Sequence, residues 1–239
     1  MKSLRILSAC LVTLFAGWSA GATADENTAR QAFQAKTKMT ADSVTRTPFA
    51  NIYEAIVLTP QGYQTFYIDE KTSFILKGEL FDTRGEPRNL TQDSMGKIAA
   101  AALSKSAESA VKRVKGNGKR VIYTFEDPNC GYCKELQREL MKVNDVTIYT
   151  FLWPILSQDS VDKSKAIWCA KDRGKAWDDA MLKGVIPTGK RDCDTPLDRN
   201  GQLAQRFGLR GTPAVYLANG QQIGGFVAAD KIEAALGGK

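Results

Sequence analysis

Cys130 and Cys133 stand three positions apart, directly after an uninterrupted apolar run over 121–125 and at the head of a segment with helical spacing to about Met141. That junction restricts the fold more than any other feature. A continuous apolar run is a strand covered on both faces, so helices must pack on the sheet that holds it, which makes the arrangement α/β. Two intervening residues let the thiols close a small ring, so the pair can cycle between dithiol and disulfide. A helix N-terminus offers unpaired N–H groups and the positive end of the dipole, both of which favour thiolate over thiol. Cys130, at the exposed edge of the helix, is the expected nucleophile. Cys133, about one turn further in, is the expected resolving thiol, with burial holding its pKa up. Gly131 and Tyr132 between them are expected to set the redox balance.

Two other uses of these cysteines are weighed. A zinc site built from Cys130, Cys133, Cys169 and Cys193 lacks the second short spacing that structural zinc sites usually show. A purely structural bridge between Cys130 and Cys133 closes too short a loop to stabilise much. Thiol–disulfide exchange fits the pattern better than either. Gly211-Thr212-Pro213, some eighty residues later and just before another strand, supports it. A proline there suits a cis peptide bond packed beside the cysteine pair, with Thr212 and Pro213 placed to receive an extended substrate strand.

Composition narrows the function classes. The 239 residues contain no histidine, which excludes any imidazole base and any His-ligated metal. At the N-terminus Lys2 and Arg5 precede an apolar run over 6–18, and Ala22-Thr23-Ala24 follows as a small-x-small site, the pattern of a secretory leader cleaved after Ala24. The run is too short for a spanning helix, and Leu7-Ser8-Ala9-Cys10 has most of its apolar residues on the wrong side for a lipoprotein signal. Lys2 and Arg5 leave with the leader and no acid does, so net charge falls from +7 to +5. The remaining excess is spread along the chain with no basic block interleaved with aromatics, so a nucleic-acid partner is not expected. Cys10 also leaves. Four cysteines remain, an even number that suits an oxidising compartment.

Residues 26–39 read as a short helix, then β-type runs cover 52–58, 63–68 and 74–81, the last alternating as a half-exposed strand. So small a unit buries little by itself and needs a partner surface. Met95, Ile98, Ala99, Ala102, Leu103, Ala107, Ala110 and Val111 recur at helical spacing, as either a connecting helix or an ordinary core helix. Beyond the cysteine pair come a strand over 146–153, helices over 160–183 and 198–207, a hairpin from 214–217 to 223–226, and a closing helix over 228–236. The expected division is a leader, 1–24; an N-terminal unit, 25–88; a linker helix, 89–117; and a catalytic unit, 118–239.

Strand, Cys-x-x-Cys, helix and a late Thr-Pro before a hairpin resemble the thioredoxin fold. More narrowly, Phe125-Glu126-Asp127-Pro128-Asn129-Cys130-Gly131-Tyr132-Cys133-Lys134, the pair Cys169 and Cys193, and Gly211-Thr212-Pro213 resemble the DsbC family of bacterial periplasmic disulfide isomerases. The resemblance spans nearly all of 25–239. It implies a thioredoxin-like catalytic domain with a helical insertion, preceded by a small α+β dimerisation domain and a linker helix. It also implies a homodimer around a cleft for misfolded or wrongly bonded exported chains, no cofactor, a structural Cys169–Cys193 disulfide, and a membrane reductase of the DsbD type that keeps the active pair reduced. Thr124 stands where thioredoxins proper carry a buried Asp, and Gly131-Tyr132 replaces the Pro-His of DsbA-type oxidases. The sister family DsbG usually has Pro where Gly131 stands. Three functions follow: a disulfide isomerase, a dimeric holdase whose thiols are secondary, and a DsbG-like reductase of oxidised single cysteines.

Overall fold

The computed structural model describes residues 20–237, with side chains from Asp25 onward. The expected leader therefore lies outside the described residues, save that 20–24 belong to the backbone of the first helix. No helix among the described residues is long and apolar enough to cross a membrane. The chain divides into two compact units. One runs through Val57 and includes Phe66–Lys77; the other comprises Leu58–Thr65 and Gly78–Lys239.

In the first unit, helix α1 (Ala20–Thr37) precedes a four-stranded sheet ordered β1 (Ser43–Arg46), β2 (Tyr53–Thr59), β3 (Gly62–Ile68), β4 (Ile75–Lys77). Ala29 and Phe33, one helical turn apart on α1, pack on Val44, Tyr53, Ala55, Val57 and Ile68. The expected strand over 74–81 is corrected here. It stops at Lys77, and Phe81–Asp82 (β5) pairs instead with Arg88–Asn89 (β6). Nor is β4 half-buried: Phe74, Ile75 and Leu76 are all exposed, on both faces of a sheet edge.

The second unit starts its helical part at α2 (Leu90–Lys105), where the Asn89 side chain caps the helix by accepting from the Gln92 N–H. The helical pattern running on to Val111 is a second correction. α2 ends at Lys105, a 3-10 turn covers Ala107–Ser109, and Val111–Lys115 is strand β7. Val111 fits either periodicity, and β7 is an edge strand of a five-stranded sheet ordered β11-β10-β8-β9-β7. The others are β8 (Arg120–Glu126), β9 (Val146–Leu152), β10 (Ala214–Leu217) and β11 (Gln222–Gly224). β8 and β9 run parallel, and every other pairing is antiparallel.

Side chains alternate across β8 and sort the core into two layers. Tyr123 and Phe125 face an aromatic layer with Phe151 and Tyr216, closed by Ala99 and Leu103 of α2 and by Leu203 and Ala204 of α6 (Leu197–Arg206). α2 is thus a core helix of this unit, the second of its two readings. Ile122 faces the other way with Ile148 and Val215, against Leu136 and Leu140 of α3 (Gly131–Leu140) and Ile232 of α7 (Ala229–Ala235). The Lys115 ammonium closes the C-terminal end of α3, donating to the carbonyls of Leu140, Met141 and Val143 at 3.0, 2.6 and 2.5 Å. The helical stretch over 160–183 is broken into α4 (Gln158–Trp168), α5 (Arg173–Asp178) and a π-helical turn over Asp179–Lys183. Asp172 starts the second piece as its N-cap.

Gly220, in the β10–β11 turn with φ +79°, is where α2 approaches most closely. A Cβ there would stand 1.9 Å from the Gly96 carbonyl oxygen and 2.5 Å from the Ala100 nitrogen. Both conformation and space demand glycine. Gly220→Ala is expected to destabilise the protein by about 2 kcal/mol, read as a lower denaturant midpoint at unchanged slope. A midpoint equal to that of the parent would show that α2 does not seat on this turn.

Candidate functional site

The site forms where β8 ends and α3 begins. Asp127 organises the turn. Its carboxylate accepts from the N–H groups of Asn129 (2.7 Å), Ile155 (2.8 Å) and Leu156 (3.0 Å), and its carbonyl accepts from the Cys130 N–H (3.0 Å). One buried side chain therefore ties the cysteine loop to the loop that follows β9. Asn129 adds a second tie, donating to Asp159 (2.8 Å) and Ser160 (3.0 Å) and accepting from the Lys163 ammonium (2.7 Å).

Cys130 is the N-cap of α3. Its sulfur accepts from the Cys133 N–H at 3.2 Å, the place a Ser or Asp oxygen takes in an ordinary cap. On its other side the thiol donates to the Thr212 carbonyl at 3.4 Å, and the Thr212–Pro213 bond is cis. Cys130, Cys133, Thr212 and Pro213 are thus brought together, as the sequence leads one to expect. The exposed edge position is corrected in degree. Cys130 is only 7% exposed and belongs to an apolar cluster with Trp168 and Trp177, whereas Tyr132 is 70% exposed and Gly131 also faces solvent. Cys133 is fully buried, and both cysteines are thiols. Burial, then the charge of Glu126, pushes the Cys133 thiol far above the ordinary range, while the Asp127 N–H donating toward its sulfur opposes them.

Exposed apolar groups at the site are Tyr132, between the two cysteines, and Ile155 and Leu156, whose N–H groups bond Asp127. Beneath the pair lies a polar layer that reading the sequence missed. Glu126, at the end of β8, is fully buried and takes hydrogen bonds from the Thr124 hydroxyl (2.7 Å) and from the Gln137 amide, at 2.7 and 2.8 Å to its two oxygens. Arg113 of β7 donates to Gln137 Oε1 (2.6 Å), Thr150 Oγ1 (3.1 Å) and Asp178 Oδ1 (2.8 Å). Burial raises the Glu126 pKa, against Arg113 and the hydrogen bonds, which lower it. The available signal was a carboxylate closing an otherwise apolar strand, since a buried acid needs partners of this kind.

Residues 107–238 match the family described as a thioredoxin-like domain, and residues 20–92 match the disulfide bond isomerase protein N-terminal domain. The thiol:disulfide interchange protein DsbC of Escherichia coli (strain K12) is 32% identical over 222 residues, which span 90% of this chain and 89% of that protein. The chain belongs to the DsbC family. A probable DsbC of Bordetella pertussis is 40% identical over 195 residues, 81% of this chain and 67% of that protein. Among solved structures, a disulfide interchange protein from Neisseria gonorrhoeae superposes with a TM-score of 0.53 at 40% identity, covering 55% of this chain and 95% of that one. The fold of the family, a thioredoxin-like α/β domain after a DsbC N-terminal domain, is the fold expected from the sequence.

Cys169 and Cys193 are joined in a disulfide, which removes them as metal ligands. Cys169 is the C-cap of α4, and Cys193 lies in a segment without regular structure before α6. Trp168 reinforces the tie, its indole N–H donating to the Asp194 carbonyl at 3.0 Å while the Arg173 guanidinium stacks on its ring at 3.7 Å. On loop closure alone, a bridge with a separation of 24 residues stabilises by ~3 kcal/mol. Replacing both cysteines by Ala is expected to lower the unfolding midpoint accordingly while the alkylation rate of Cys130 stays at its parent value. Equal midpoints would show that the bridge contributes nothing to stability.

Proposed function

We propose that this member of the DsbC family is a periplasmic thiol–disulfide oxidoreductase that isomerises or reduces wrong disulfides in exported proteins, through Cys130 and Cys133. The observation that carries the reading is the asymmetry of the pair. The Cys130 sulfur sits at the helix N-terminus on an N–H donor, and the Cys133 sulfur is sealed behind it. As thiolate, Cys130 attacks one sulfur of a client disulfide. A bond forms between Cys130 and that sulfur, the client S–S bond breaks, and the other client sulfur leaves as thiolate. That thiolate can attack a second client disulfide, and the client thiolate expelled there attacks the client sulfur of the mixed disulfide, which forms a new client bond and returns Cys130 as thiolate; this is isomerisation. Otherwise Cys133 attacks Cys130, which frees the client reduced and leaves a Cys130–Cys133 disulfide. A membrane reductase of the DsbD type then restores the dithiol. Gly131 and Tyr132 tune this balance, and Thr212 with Pro213 receives the client strand beside Cys130. The exposed apolar rim at Tyr132, Ile155 and Leu156 supports binding of misfolded chains, and with it chaperone activity. Gly131 favours this reading over a DsbG-like reductase. Export requires the leader, with cleavage after Ala24.

Under limiting alkylation of the reduced protein near neutral pH, Cys130 is expected to be modified well before Cys133. Refolding of a scrambled multi-disulfide protein is expected to fail with Cys130→Ala. Faster labelling of Cys133, or full refolding by the variant, would reverse the assignment.

The assembly that suits this activity is a homodimer joined through the N-terminal units, 25–88, with the catalytic units, 118–239, presenting their cysteine pairs to one client. The support is β4, a sheet edge with Phe74, Ile75 and Leu76 in solvent, which pairs with a second copy or aggregates. Leu76→Glu is expected to convert a dimer to a monomer by light scattering. It should lose most scrambled-client activity while Cys130 alkylates at the parent rate. A monomeric parent, or a monomeric variant of full activity, would remove dimerisation from the mechanism.

A further inference from the structure

Two cations stand beside the reactive thiol, and only the fold brings them there. Lys134 follows Cys133 on α3, and its N–H donates to the Cys130 carbonyl at 3.2 Å, so the two residues are one helical turn apart. Arg210 lies two residues before Thr212, whose carbonyl accepts from the Cys130 thiol at 3.4 Å. Its Cα is therefore at most about 7 Å from that of Thr212. Arg210 is exposed and Lys134 half-buried, and neither side chain has an ion pair or hydrogen bond among the described residues.

The acids adjacent to these segments are already matched. Glu135, next to Lys134, pairs with Arg138. Asp159 takes the Lys163 ammonium at 2.6 Å and the Asn129 amide at 2.8 Å. Those two bonds, and then the charge of Arg191, hold the Asp159 carboxyl below the usual carboxylate range. Lys134 and Arg210 are thus left as uncompensated charges on the two segments that bracket the Cys130 sulfur. Gly131 and Gly211 separate them from it along the chain. Both glycines are exposed, and a Cβ at either would meet no atom within 4 Å. A client strand laid on that bare backbone passes between the two cations.

We propose that Lys134 and Arg210 make the site selective for client disulfides flanked by acidic side chains. The proposal rests on Cys130 as nucleophile and names the class of client it captures first. Carboxylates beside the client disulfide are drawn toward the two cations, and ammonium groups in the same places are repelled. The attacking Cys130 thiolate by itself repels an acidic client, and the cations offset that repulsion. One exposed unit charge about 8 Å from a client charge changes the encounter by about two- to threefold in water, and salt screens the effect. Two cations acting on both flanks separate acidic from basic clients by about tenfold at low salt. The bonds made and broken in the exchange stay the same.

The test presents the reduced full chain with three symmetrical peptide disulfides. Each is made from a terminally blocked tripeptide with cysteine at its centre and Glu, Gln or Lys on both sides. Attack by Cys130 is followed by acid quench and mass spectrometry. Each rate is divided by that of 2-mercaptoethanol with the same disulfide, which removes the reactivity of the peptide itself. Every peptide meets the same thiol, so the ratio of the Glu rate to the Lys rate does not depend on how much of Cys130 is ionised. At low ionic strength the parent is expected to favour the Glu peptide over the Lys peptide by about tenfold, and in about 1 M salt to treat them alike. The double variant Arg210→Gln with Lys134→Gln should lose most of that preference, and Arg210→Lys should keep it. A parent without the preference, or a double variant that retains it, overturns the proposal. Should the double variant fail to fold, Arg210→Gln alone decides: a ratio about threefold below that of the parent upholds the proposal, and the parent ratio overturns it. A chain that attacks none of the three peptides overturns the exchange reading and this proposal together. One that attacks all three alike removes the proposal alone.

Discussion

The Asp127 carboxylate is the interaction on which the site depends. A strand that ends in the core must hand over to a helix within a few residues, and the turn between them leaves N–H groups without partners. Asp127 takes three of them, from its own turn and from the loop after β9, while its carbonyl accepts from the Cys130 N–H. A buried acceptor saturated in this way fixes geometry, because every alternative conformation strands at least one polar group away from water. The placement of Cys130 at the head of α3 and the seat of Ile155 and Leu156 both follow from it.

The sheet beneath has two unlike layers. The layer of Tyr123, Phe125 and Phe151 is aromatic, with Phe125 and Phe151 stacked at 4.9 Å. The opposite layer turns polar toward the cysteines, from Ile122 through Thr124 to Glu126. Polar groups in that position contribute little stability, but a satisfied network holds its members to one arrangement.

How much of this was legible in the sequence varied with how far each signal depended on distant partners. The cysteine junction, β8, α3, β9 and the Gly211-Thr212-Pro213 turn rest on local patterns, and they fold where the patterns put them. Strand β1 was missed because Ser43–Arg46 is a short polar segment that buries only Val44. β7 reads as helix in the sequence because Val111 suits both periods, and only pairing with β9, distant in sequence, decides between them. The alternation over 74–81 promised one buried face, but Phe74, Ile75 and Leu76 are all exposed, with no element among the described residues over them. Glu126 and Arg113 looked like ordinary charges, since only the fold brings residues 113, 126 and 137 into one buried layer.

The bridge between Cys169 and Cys193 has a consequence for how such a chain comes into being. Cys130, Cys133, Cys169 and Cys193 can be joined in three ways, and only one of them keeps the reactive pair to itself. In the other two, each cysteine of the active centre is bound to a partner from the 169–193 region. A newly made copy thus faces the same sorting problem that older copies solve for other proteins. Correct maturation of the population depends on α3 and the 184–196 segment folding apart before oxidant reaches them, or on finished molecules of the same kind to repair the mistakes.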